Sequence, residues 1–268
     1  DTPVPVLAPG RKKTKTGRIW TYVRDDRNAG SSDPPAAWFA YSPDRQGKHP
    51  ELHLRSFRGV LQADAFAGYD RLFSTSREGG VLTEAACWAH ARRKIHDVYI
   101  SSQSATAEEA LKRIGELYAI EAEIRGMPET ERLAARQSRS APLLASLHEW
   151  MVEKSATLSK KSRLGEAFTY ALNQWDALCY YCRDGLAEPD NNAAERALRA
   201  VCLGKKNYIF FGSDHGGERG ALLYGLIGTC RLNGIDPEAY LRHILSVLPE
   251  WPSNRVGELL PWNVAIPA

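Results

Sequence analysis

Near the N-terminus apolar and polar positions alternate, and further along the apolar positions recur at helical spacing. Thr2 to Leu7 (TPVPVL) is short, β-branched and apolar, which predicts a strand that Pro5 confines to a sheet edge. A turn, Ala8-Pro9-Gly10, and a basic loop follow. Arg18 to Arg24 then alternates Ile19, Thr21 and Val23 against Trp20 and Tyr22, the pattern of a second strand. A loop rich in Asn, Gly, Ser and Pro, from Arg27 to Pro35, separates it from a third strand, Ala37 to Tyr41. Connections this short predict an antiparallel meander.

His49 to Phe57 predicts a short helix packed through Leu52, Leu54 and Phe57. Gly59 to Asp64 (GVLQAD) is an apolar strand ending in a carboxylate. A short helix around Tyr69 to Phe73 and a strand from Val81 to Cys87 come next, and that strand runs into helix composition from Trp88 to Lys94. From Ala105 to Cys182 strand signals vanish. Ala107, Ala110, Leu111, Ile114 and Leu117 recur at helical spacing, and so do Leu164, Phe168, Leu172, Trp175, Cys179 and Cys182. A turn, Pro189-Asp190, opens another helix, with Asp190 or Asn191 as its N-cap. Lys205 to Gly212 reads as a strand or extended loop, and Ser213 to Gly217 as a break. A helix from Glu218 to Leu232 ends at Asn233-Gly234, and Asp236-Pro237 caps a last helix to about Val247.

Three strands, helix, strand, helix, strand, helix is the order of an α/β, ribonuclease H-like fold with a mixed sheet. The expected organisation is a first part of that core at 1–104, an all-helical insertion at 105–182 and the end of the core at 183–212. A helical C-terminal segment fills 213–268.

Composition narrows the partners. The chain has 268 residues, 43% hydrophobic and 25% charged, enough for a full core. Its net charge of +3 is modest, but seven basic residues against two acids crowd Arg11 to Arg27, with further clusters at Arg92-Arg93-Lys94 and Lys160-Lys161. Such clustering favours a polyanion over a merely solvated basic face. No apolar run approaches the length of a membrane span and no signal peptide is visible, so the expected place is the cytoplasm and no membrane partner is expected. The chain starts at Asp1 rather than Met, and reads as a fragment or processed form. Five scattered cysteines give no disulfide framework, and Cys179-Tyr-Tyr-Cys182 lies on an apolar helix face, which favours core cysteines over a metal site.

The chemistry centres on Asp64, at the end of a strand, and Glu195, early in a helix. Asn191, Glu195 and Arg199 share one face of that helix, with Asn192 and Arg196 beside them. Taken alone, Glu195 paired with Arg199 on a solvated face is the plainer reading. In a ribonuclease H-like sheet the two carboxylates would instead converge to hold Mg²⁺, for which Mn²⁺ can substitute, because magnesium takes one or two carboxylates plus substrate phosphates. Two such ions can clamp both oxygens of an in-line phosphoryl displacement. Nothing resembles a Walker A loop, a GxGxxG turn or a GxSxG elbow.

Several longer motifs carry a resemblance: Asp1-Thr2-Pro3-Val4-Pro5-Val6-Leu7, Leu61-Gln62-Ala63-Asp64-Ala65-Phe66-Ala67-Gly68-Tyr69, Cys87-Trp88-Ala89-His90-Ala91-Arg92-Arg93-Lys94, Asp190-Asn191-Asn192 through Arg199, and Gly212-Ser213-Asp214-His215-Gly216-Gly217-Glu218-Arg219. On these the chain resembles the transposases of the insertion sequence 66 family, DDE enzymes with a ribonuclease H-like core. The resemblance implies that Asp64 is the second D and Glu195 the final E of the triad. The family reads Asp-[Asp/Glu]-Thr-Pro at the first D, with the first of the two acids the expected metal ligand. This chain begins at the second, so Asp1, kept as a candidate site, matches the neighbour and the ligand is expected just before residue 1. On that match this stretch lacks a triad member and would not turn over.

The resemblance implies Mg²⁺-dependent cleavage and strand transfer on double-stranded DNA, at element ends and target, with a homo-oligomer and helper proteins as partners. His90, Arg92, Arg93, Lys94, Arg196 and Arg199 are the candidates for DNA contact. The rival readings are a DNA-binding or assembly remnant without turnover, and a ribonuclease H-like nuclease without strand transfer.

Overall fold

The computed structural model describes residues 1–8, 10 and 13–266. Part of the N-terminal basic cluster, Arg11 and Lys12, therefore lies outside the described residues, as does Pro9. The elements are β1 (Thr2–Val6), β2 (Lys15–Arg24), β3 (Ala36–Ser42), α1 (Lys48–His53), β4 (Val60–Gln62), β5 (Thr83–Ala85), α2 (Trp88–Ser102) and α3 (Ala105–Glu123). They continue with α4 (Glu129–Ala135), α5 (Ala141–Thr157), α6 (Arg163–Asn173), α7 (Trp175–Cys179), α8 (Asn192–Tyr208), α9 (Asp214–Leu232) and α10 (Pro237–Val247). The chain is thus mixed helix and strand. Its strands pair in two sets, an antiparallel β1-β2-β3 and a parallel β4-β5. Residues group into two compact units: Asp1–Asp25, Ser32–His53 and Ala193–Ala268 in the first, Asp26–Ser31 and Leu54–Asn192 in the second.

In the first unit the meander forms as its alternation predicts, with Trp20 opposite Ala40 and Ile19 opposite both Thr2 and Tyr41. One sheet face, carrying Val4, Val6, Ile19, Ala37 and Phe39, closes on Val201 of α8 and Ala221 of α9. The open edges are both covered. Phe211 N–H donates to Pro5 O at 2.9 Å and Leu7 N–H to Phe211 O at 2.8 Å, so Pro5 turns its missing N–H toward an edge that pairs only at single residues. On β3, the Thr229 hydroxyl donates to Ala37 O and accepts from Ala37 N–H, each at 3.1 Å. A smaller core joins Cys230, Tyr240, Ile244 and Leu259, with Tyr240 O–H donating to Leu259 O at 2.8 Å.

Three local expectations need correction in this unit. Lys205 to Tyr208 is not extended, because α8 runs on to Tyr208. Its cationic last turn, Lys205 and Lys206, suits a helix C-terminus. The glycine-rich break is the first turn of α9: the Ser213 side chain accepts from Gly216 N–H at 3.1 Å, so the helix begins at Asp214 instead of Glu218. On α1, Leu52 is 68% exposed, since six residues give less than two turns and the helix buries Pro50 instead.

The second unit is built on one apolar core. Trp88, Ala91, Ile95 and Val98 of α2 pack with Ile114 and Leu117 of α3, Leu147 and Met151 of α5, and Phe168 of α6. The helices between Ala105 and Cys182 therefore share their core with α2. Trp88 donates its indole N–H to Leu178 O at 2.9 Å and meets Trp175 edge-on at 5.6 Å.

Candidate functional site

In the second unit the ends of the parallel strands are tied to the turn that leads into α8. The Gln62 side-chain amide donates to Ala86 O at 3.3 Å and to Glu188 O at 2.5 Å. Trp88 N–H donates to Pro189 O at 2.9 Å, and the Cys87 thiol donates to Asn191 Oδ1 at 3.1 Å. Asp190 caps the helix that follows, accepting from Asn192 N–H at 3.1 Å, while its second oxygen accepts from the Tyr118 hydroxyl at 3.0 Å. Burial and the Asp190 charge push the Tyr118 phenol well above its ordinary range. Asp64, half-buried, stands two residues beyond β4, where the ladder ends with Ala63 N–H donating to Ala85 O at 3.1 Å. Tyr170 lies close by. Burial first, and then the Asp64 charge, raises its phenol, and the Lys94 ammonium stands 4.5 Å from its ring centre.

The first unit holds the other two predicted carboxylates. Asp1 is 2% exposed at its side chain and enclosed by guanidinium groups, with Arg45 Nη2 at 2.9 Å and Arg18 Nη1 at 3.2 Å. Its oxygens are thus already neutralised and hydrogen-bonded, a poor donor set for a cation. Glu195 is exposed in the first turn of α8, and Arg196 and Arg199 are exposed on the same helix. Asp64 belongs to one unit and Asp1 and Glu195 to the other. Among the described residues no group of three or more His, Cys, Asp or Glu is arranged to hold a metal ion. Asp64 and Glu195 keep the hard oxygen chemistry that magnesium prefers.

On α2, Arg92 and Arg93 are exposed and His90 is half-buried. Cys179 and Cys182 are free thiols, pushed by burial to about 12 and about 11, where they are neutral and inert. Among the described residues no helix is long and apolar enough to cross a membrane.

Two polar constellations leave no mark in the apolar periodicity of the chain. Asp214 accepts from Lys15 Nζ at 2.5 Å and from the Tyr41 hydroxyl at 2.5 Å; the signal in the sequence is the Ser-Asp-x-Gly start of a helix, which reads equally as a turn. In the second unit Arg132 and Arg136 are buried at 1% and 0% exposure. Arg136 grips both oxygens of Glu121, at 2.8 and 2.7 Å, and Arg132 holds Glu188 at 2.6 Å. Spaced four apart among polar residues, these arginines look like a solvated face until the fold encloses them.

The sequence model of the family described as "Transposase IS66 family" matches residues 1–219, and that of the "IS66 C-terminal element" matches 225–262. The uncharacterized protein y4hP of Sinorhizobium fredii is 42% identical over 98% of this chain and 50% of its own length. The uncharacterized proteins y4qI and y4jD of the same organism are 36% and 38% identical, again over 98% of this chain, which spans 50% and 52% of them. The chain therefore spans about half the length of these curated relatives. No solved structure matches it.

Proposed function

The chain belongs to the IS66 transposase family, and from that membership we propose that it carries the metal-dependent phosphodiester chemistry of a DNA transposase on a ribonuclease H-like core. The family match over residues 1–219 is the observation that carries this reading. In it, Asp64 and Glu195 supply carboxylate oxygens to Mg²⁺ or Mn²⁺, which when bound would stabilise charge on the reacting phosphate. Asp1, saturated by Arg18 and Arg45, acts as the structural neighbour of the first ligand rather than as that ligand. Arg196 and Arg199 on α8, and His90, Arg92, Arg93 and Lys94 on α2, serve the DNA backbone. Arginine suits that task because its fork matches two phosphate oxygens. The substrate is double-stranded DNA at element ends and target, with a homo-oligomer and helper proteins completing the reaction in the cytoplasm.

A second reading keeps DNA binding and assembly without turnover, and the enclosed Asp1 carboxylate favours it. Cleavage of element-end DNA by the protein extended upstream of Asp1, assayed with and without Mg²⁺, decides between them. The first reading expects cleavage that needs the metal and is lost in Glu195→Gln and Asp64→Asn. DNA binding with no cleavage by the extended protein would overturn it.

A further inference from the structure

We propose that a cleft between α2 and α3 is a seat for the DNA phosphodiester backbone; the choice of DNA rests on the function proposed above. The cleft measures about 550 Å³ and lies wholly in the second unit. Its lining includes Arg92, Arg93 and His96 of α2, Gly115 and Tyr118 of α3, and Asp190. Arg92 and His96 are one helical turn apart on one face, and Gly115 and Tyr118 are neighbours on the facing helix. Among the described residues neither Arg92 nor Arg93 is engaged in a salt bridge, so both guanidinium forks are available. The carboxylate in the lining, Asp190, already accepts from Tyr118 and from Asn192 N–H. Two arginines outweigh its single charge, so the cleft favours an anion.

Gly115 supplies the independent observation. It stands in the middle of a 19-residue helix, where glycine is the poorest choice after proline. A Cβ there would meet nothing within 4 Å. Neither backbone conformation nor crowding requires glycine at this position. A side chain there would take up space in the cleft that the arginines also line. A sugar–phosphate strand needs that space open, and bidentate arginines grip its phosphate oxygens.

The test is fluorescence anisotropy of a labelled DNA duplex with residues 1–268, over a series of salt concentrations, with thermal unfolding of each variant as the check on folding. Gly115→Trp fills the cleft without touching a charge, and is expected to weaken binding about tenfold, as when a pair of phosphate contacts is lost. Arg92→Ala with Arg93→Ala is expected to reduce the slope of log K against log[salt] by about 2, one for each phosphate released. Unchanged affinity in a folded Gly115→Trp overturns the proposal. So does an equal loss of slope on removing Lys160 and Lys161, which would mean diffuse attraction. Displacement of the duplex by inorganic phosphate beyond the effect of chloride at equal ionic strength would make the cleft a small-anion site and also overturns it. Failure of the transposase reading looks different: Glu195→Gln and Asp64→Asn would have no cleavage to abolish, whatever the cleft variants do to affinity.

Discussion

Replacing Arg136 with Met tests how the second unit holds the segment that precedes α8. The guanidinium is fully buried and donates to Glu121 Oε1 and Oε2, and to the carbonyls of Tyr181, Asp184 and Ala187 at 3.1, 2.8 and 2.8 Å. Methionine fills similar volume but leaves Glu121, 6% exposed, with only Arg132 at 3.5 Å, and orphans those carbonyls. Breaking one partner of a buried pair costs about 3–5 kcal/mol. Against a total stability of about 5–15 kcal/mol that is a large share. Urea unfolding followed by tryptophan fluorescence reads it, because Trp88, Trp150 and Trp175 all pack on this unit's core. The same helices provide the control. Arg139 and Glu123 also pair, at 2.7 Å, but with side chains 46% and 58% exposed, so Arg139→Met should leave the transition where it was. Replacing Glu121 with Leu in the Arg136→Met background should recover much of the loss, since an apolar pair carries no stranded charge. Equal losses at Arg136 and Arg139 would refute the claim that burial, rather than pairing, sets the energy.

In the first unit, His53 accepts from or donates to the Tyr22 hydroxyl at 3.0 Å, and burial lowers its pKa from 6.5 to about 4. The unfolded chain therefore binds the extra proton first. The contribution of His53 is complete above pH 6.5 and fades as pH falls toward 4, and His53→Asn should flatten stability in that window when unfolding is measured across it. Asp214 has its pKa lowered by the hydrogen bonds from Lys15 and Tyr41, so its contribution is present above the ordinary 3.8 and is lost as pH falls below it. Asp214→Asn should remove that acid-range slope. Gly217→Ala would place a Cβ 2.5 Å from the Tyr41 ring, and overpacking of this kind should cost about 1–3 kcal/mol, seen as a lower midpoint in urea. Cys179 and Cys182 should resist alkylation at pH 8 until denaturant is added, as mass spectrometry of labelled protein can establish.

Much of this protein follows from local pattern. Alternation set β2 and β3, the 3.6-residue recurrence set α3 and α6, and Asp236-Pro237 and Asn233-Gly234 placed two helix ends, because each of these signals depends only on neighbours in the chain. The family was legible for the same reason, since its motifs are contiguous words such as Leu61 to Tyr69. Other features depend on residues that meet only when the chain folds. Whether Asp214 opens a helix or a turn depended on the Ser213 cap and on Lys15 and Tyr41, nearly two hundred positions away in the sequence. Whether Arg132 and Arg136 are solvated or buried depended on Glu121 and on carbonyls of the 181–187 loop. That the Asp1 carboxylate is enclosed depended on Arg18 and Arg45, which meet it only in the folded chain. Sequence spacing specifies the faces of a helix or strand; the environment of a charge is a sum over distant partners, and only the tertiary structure performs that sum.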